Sequence, residues 1–129
     1  MPDLDEVLSD EAPSIATEVT RRMTELHPDM FEAFRRNLRN PTKTAEEWCT
    51  EDTVHHLRHL HAALGTSPEE FWEYAQWLVG VLSARGIPVE DIRKNFAAMS
   101  VVLQERYGDD AAAAVEILED WLMKHDSAK

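Results

Sequence analysis

The chain has 129 residues, enough for one domain with one modest core, since a domain of this size buries roughly two thirds of its unfolded surface. Sparse glycine and proline (4 and 6), 29% charged residues and a single cysteine favour helix over strand, exclude an internal disulfide framework and fit a reducing compartment. The net charge of −12 argues against nucleic acid and anionic membranes as partners, because binding phosphate needs a surplus of Lys and Arg on one face.

The N-terminus, "MPDLDEVLSDEAP", is acidic and polar, unlike a signal peptide, and no apolar run approaches the roughly 20 residues that span a bilayer. A cytoplasmic protein is expected. Residues 1–12 lack helical periodicity and read as a flexible tail ahead of one domain over 13–129. Ser14 suits an N-cap, and Ile15, Val19, Met23 and Leu26 follow at helical spacing until Pro28 stops the helix. Asp29 opens a short segment with Met30, Phe31, Phe34 and Leu38 on one side, and "RNPTKT" reads as a loop around Pro41.

Thr44 with Glu47, and Ser67 with Glu70, have capping-box spacing, with Pro68 in the first turn of the second of these helices. They predict helices over 45–64, closed by Gly65, and 68–85, closed by Gly86. Pro88 starts a helix that runs to Gly108, and Asp109 or Asp110 caps the last, "AAAAVEILEDWLMKH". No segment alternates as a strand does. The helix from Pro68 is apolar on most sides, which predicts burial at the centre of the bundle; its Trp72, Tyr74 and Trp77 are core aromatics or the lining of a cofactor pocket.

The chemistry concentrates in "CTEDTVHHLRHLHAALG", residues 49–65. At about 100° per residue, Val54, Leu57, Leu60 and Leu64 form the buried stripe. His55 and His59 point away from it and read as a solvated face, for they lack the further ligands a zinc site needs. His56 and His61 lie at the two borders of the stripe, each a boundary residue or a single axial ligand for haem. Cys49, Asp52 and His56 stand at i, i+3 and i+7, placing thiol, carboxylate and imidazole along one side of the helix. Two turns, about 10 Å, separate Cys49 from His56, too far for a Cys–His nucleophile. No other acid/base pair or nucleophile arrangement stands out, so an enzyme is not expected.

At these residues the chain resembles the phycobiliproteins, globin-related carriers of linear tetrapyrroles. The family's Cys-x-Arg-Asp, followed by two aromatics and Leu-Arg, is matched by Cys49, Asp52 and His55-His56-Leu57-Arg58 in the same register. "AALGTSPEEFWEYAQWLVGVLSARGIPVEDIRKNFAAM" is similar to the family's next two helices and the Gly-x-Pro corner between them. "YGDDAAAAVEILEDWLMKH" resembles its last helix, and "IATEVTRRMTELHP" an earlier one. The resemblance implies a globin-like all-α bundle of five to six helices, shortened at its N-terminus. It implies that Cys49 bonds a bilin through a thioether, that Asp52 accepts from the central pyrrole nitrogens, and that Tyr74 is a pocket aromatic. Glu51 replaces the arginine that pairs with a propionate, and His55 and His56 replace the aromatics. These departures and the shortened fold point away from an antenna subunit and towards the bilin biosynthesis-associated globins of non-photosynthetic bacteria.

Three functional expectations follow. The first is a bilin carrier, sensor or biosynthetic accessory protein using Cys49, Asp52, His56 and Tyr74. The second is a haem globin ligated by His56 or His61. The third is a cofactor-free regulatory or dimerisation domain, and a homodimer is expected under all three, because the missing helices would leave apolar faces uncovered.

Overall fold

The computed structural model describes residues 4–37 and 43–125. Helices α1 (Leu4–Leu26), α2 (Pro28–Asn37), α3 (Ala45–Leu64), α4 (Pro68–Ala84), α5 (Val89–Tyr107) and α6 (Ala112–Lys124) follow in order, with a 3-10 turn at Gly108–Ala111. No strand occurs among the described residues, so the fold class is the all-α bundle expected. None of these helices is long and apolar enough to cross a membrane. Leu38 and Pro41, assigned to an apolar face and a loop, lie outside the described residues.

Helix α1 corrects the expectation of a tail. It begins at Leu4, and Leu8 and Ala12 are fully buried in series with Ile15, Ala16, Val19 and Met23. The spacing was present, but Pro13 and the acidic run hid it: a proline inside a helix removes one backbone bond and normally reads as a boundary. Here Pro13 sits on the exposed side. Ser14 is therefore not a cap; its hydroxyl accepts from Arg106 at 3.1 Å. The small Ala12 and Ala16 let α1 lie close along α3, and Thr20 meets Thr50 across the seam at 2.7 Å. Arg22 forks onto Glu105 and ties α1 to α5.

The capping box of α3 forms as expected, with Glu47 N donating to Thr44 Oγ1 at 3.0 Å and Thr44 N to Glu47 Oε1 at 3.1 Å. Ser67 has N-cap backbone geometry but makes no side-chain cap bond. At the last helix, neither Asp109 nor Asp110 is the cap; both lie in the 3-10 turn, and α6 starts after Ala111. Gly86 takes φ +82, a left-handed conformation suited to glycine, and turns the chain from α4 into α5.

The centre of the bundle is α5 and not α4. Helix α5 buries Ile92, Phe96, Met99, Val102 and Leu103, as well as Asn95 and Ser100, whereas α4 buries only Phe71, Ala75 and Leu78. Trp77 is 61% exposed. Even hydrophobicity around α4 therefore reflects a core face on one side and an apolar surface on the other. The buried register of α3 also shifts towards Thr53, His56, Leu57, Leu60 and Ala63, leaving Val54 and Leu64 half-buried.

If the first turns of α1 belong to the core, Leu8→Ala opens a cavity. Such truncations cost about 2–5 kcal/mol, to be read from urea unfolding. A loss below about 0.5 kcal/mol would restore the tail.

Candidate functional site

Between α3 and α4 runs a cleft of about 950 Å³, to which Phe34 and Arg36 of α2 and the turn through Arg85, Gly86 and Ile87 also contribute. Its floor is α3 seen from the side: Trp48, Asp52, His55, His56 and His59. Tyr74, Trp77 and Leu78 supply the α4 wall. The volume lies in the upper part of the roughly 300–1,000 Å³ typical of small-molecule sites. Behind Asp52, deeper in the bundle, lies a recess of about 80 Å³ that reaches Cys49, Asn95 and the apolar side chains of Met23, Met30 and Phe31. Phe34, Asp52, His56, Leu82 and Ile87 line both spaces, so the two adjoin.

Helical spacing explains which residues meet here. Asp52 and His56, four apart, rise on one side of α3, and His59 continues one turn on. Tyr74 comes across from α4, where its hydroxyl meets His56 Nδ1 at 2.6 Å. His59 stacks on the face of the Tyr74 ring, with centroids 3.8 Å apart and planes at 11°. Phe96 meets the His56 imidazole edge-on, with centroids 5.3 Å apart. The His56 ring is thus fixed from two helices beyond its own.

Burial sets the charge states. His56 is driven down to about 3 by loss of water, and the neighbouring charges of His55 and His59 push the same way, so the imidazole is neutral at pH 7. Burial raises the Tyr74 phenol, helped by the Asp52 charge, and keeps it protonated. The Asp52 carboxyl is also raised, by burial first and by the Glu51 charge, though His55 and Arg85 partly offset the effect. No hydrogen bond or ion pair to its side chain forms among the described residues. The cleft lining holds two arginines, Arg36 and Arg85, against this one carboxyl, a local positive excess in a chain whose net charge is −12.

Of the expected site residues, Asp52, His56 and Tyr74 line the cleft, and Cys49 lies in the recess. The thiol is raised by burial, offset in part by the polar side chains of Thr20, Thr53 and Asn95 beside it, and is a neutral thiol and not a ready thiolate. His61 lines neither space: five residues beyond His56 it is turned about 140° round the helix. Only His56 is left as a candidate haem ligand. His55 and His59, read as a solvated face, are exposed yet form the floor of the cleft. Trp48, Phe34, Arg36 and Arg85 were not foreseen, since they belong to helix ends and a neighbouring helix that only tertiary packing brings alongside. Glu51 lies outside the cleft and pairs with Lys43 at 2.6 Å, though its charge still reaches Asp52 and helps to raise that carboxyl. Among the described residues no group of three His, Cys, Asp or Glu side chains is arranged to hold a metal ion.

Neither family models, curated proteins nor solved structures give a match to this chain. The functional reading therefore stands on the geometry of the cleft.

The pH dependence of folding reports on His56. Unfolded, it titrates near its ordinary 6.5; folded, near 3. Between these values the unfolded chain binds more protons, so this residue destabilises the fold as pH falls, by up to about 1.4 kcal/mol per pH unit. Asp52 and Asp91, with raised carboxyls, act oppositely at the acid end, so the quantity to follow is wild-type stability minus that of His56→Phe. That difference should decline by about 2 kcal/mol between pH 7 and 5 in urea titrations; a constant difference would contradict a neutral, buried imidazole.

Proposed function

We propose that the cleft binds a linear tetrapyrrole reversibly, making this a bilin carrier, sensor or biosynthetic accessory protein. One observation carries the reading: the Asp52 carboxyl is half-buried, has no donor among the described residues, and faces a cleft whose other charges are positive. A half-buried carboxyl keeps only part of its hydration, so a ligand donor that meets it there gains a charge-assisted hydrogen bond. The complementary ligand is long, flat and apolar, with N–H donors near its middle and carboxylates at its edge. Pyrrole nitrogens suit Asp52, propionates suit Arg36 and Arg85, and conjugated rings suit the faces of Trp48, Tyr74 and Trp77. Bound there, such a chromophore would supply only its colour and its conjugated system; holding it and excluding water fall to these side chains. Cys49, neutral and behind Asp52, favours reversible over thioether attachment.

A second reading, a dimerisation module, has its own feature. Leu26 and Val101 are 68% and 43% exposed and line one groove of about 400 Å³ on the far side of α5 from α4. A homodimer built on that groove should appear in sedimentation at micromolar concentration and dissociate in Leu26→Asp; a monomer in the wild type would exclude it.

For the main proposal, biliverdin titrated into the purified protein should bind saturably with a red-shifted band. Asp52→Asn should weaken binding about tenfold, the value of one charge-assisted hydrogen bond. Cys49→Ala should bind like the wild type. Absence of saturable binding, or indifference to Asp52→Asn, sinks the proposal.

A further inference from the structure

The recess behind Asp52 has a feature that the tertiary fold itself leaves unresolved. Asn95, on the central helix α5, is only 7% exposed, and its side chain lies against the recess. Its Nδ2 donates to Thr53 Oγ1 at 2.9 Å and more weakly to Cys49 Sγ at 3.9 Å. Its Oδ1 is buried without a partner. Turning the amide over does not remedy this. The Thr53 hydroxyl already donates to the Cys49 carbonyl at 2.8 Å, so towards Asn95 it acts as an acceptor and requires the nitrogen. An acceptor is thus fixed in place with nothing to accept from.

Among the described residues the recess has two further open acceptors, the Asp52 and Asp91 carboxyls, neither of which makes a hydrogen bond. Nδ1 of His56 is taken by Tyr74, Cys49 receives Asn95, and the Asp91 carboxylate is in the field of Lys94 and His27. The remaining lining is apolar, and the recess is larger than the roughly 30 Å³ share of a single water. The complementary group is small, with an apolar face and N–H donors at its edge.

We infer that this recess is the inner compartment of the binding site and takes the terminal ring of an open-chain tetrapyrrole, whose N–H donates to Asn95 Oδ1. The inference rests on the tetrapyrrole reading and adds to it a specificity element. The recess joins the cleft at Asp52 and His56, so a chain lying along the cleft can send one end inward while its middle passes Asp52. A closed macrocycle such as haem has no free end to send. Asn95 and Ala45, which lines the recess and is fully buried, then distinguish an open chain from a ring without touching the cleft.

Two substitutions separate the compartments. Asn95→Leu keeps the shape and removes the acceptor; Ala45→Leu fills the recess. Each is measured by titration with biliverdin, with circular dichroism to establish that the helices are retained, and should one fail to fold the other decides. The Kd for biliverdin is expected to rise at least fivefold in each folded variant. A smaller rise in either overturns the inference while leaving the cleft proposal standing. A wild-type protein that binds no biliverdin overturns both.

Discussion

A single hydrogen bond, 2.6 Å between His56 Nδ1 and the Tyr74 hydroxyl, sets the character of this bundle. It joins α3, which packs along α1 in the core, to α4, which buries only three residues. The imidazole is almost wholly out of water and neutral, and the phenol is held protonated, so the bond links two uncharged groups in a low-dielectric setting. Above it α4 stands away from the floor of α3, and the cleft occupies the gap. Were the position apolar, as the stripe on α3 would suggest, nothing polar would anchor Tyr74, and His59 would have no fixed ring to stack on.

Charge is distributed against the average of the molecule. An overall −12 keeps the surface anionic, yet the cleft gathers two arginines around one carboxyl. Positively lined clefts focus the field on anionic ligands, and low-dielectric walls strengthen the effect. Asp52 is the exception within the cleft and also its most specific element. It is the one acceptor there that a cationic surface alone would not provide, and it sits where cleft and recess meet. The same lining therefore carries two arginines, a half-buried carboxyl and, in the recess, a buried acceptor, Asn95 Oδ1.

Much of this was written locally in the sequence. Glycines, prolines and the Thr44–Glu47 box mark the helices because caps and breakers act over a few residues. The side of α3 that carries Asp52 and His56 is visible because a helix repeats in a fixed way. What escaped has a common cause in tertiary packing. The start of α1 was masked by Pro13, whose cost is offset by burying Leu8 and Ala12, a gain no local window contains. Helix α4 looked central because hydrophobicity cannot distinguish a core face from the wall of a cleft. His59 and His61 exchanged importance because the direction from which α4 approaches α3 decides which histidine meets Tyr74. Asn95 carried no signal in a helix of otherwise ordinary pattern; only its unpaired oxygen in the folded interior singles it out.

The four tryptophans allow the location of the ligand to be read directly. Trp48 and Trp77 line the cleft, whereas Trp72 donates its indole N–H to Ile117 O on another side of the bundle and Trp121 is buried in the core. In a ¹⁵N-labelled sample titrated with biliverdin, the indole N–H signals of Trp48 and Trp77 should shift with one shared saturation curve while those of Trp72 and Trp121 stay in place. Saturable shifts confined to Trp72 or Trp121, or none at any indole, would contradict the account.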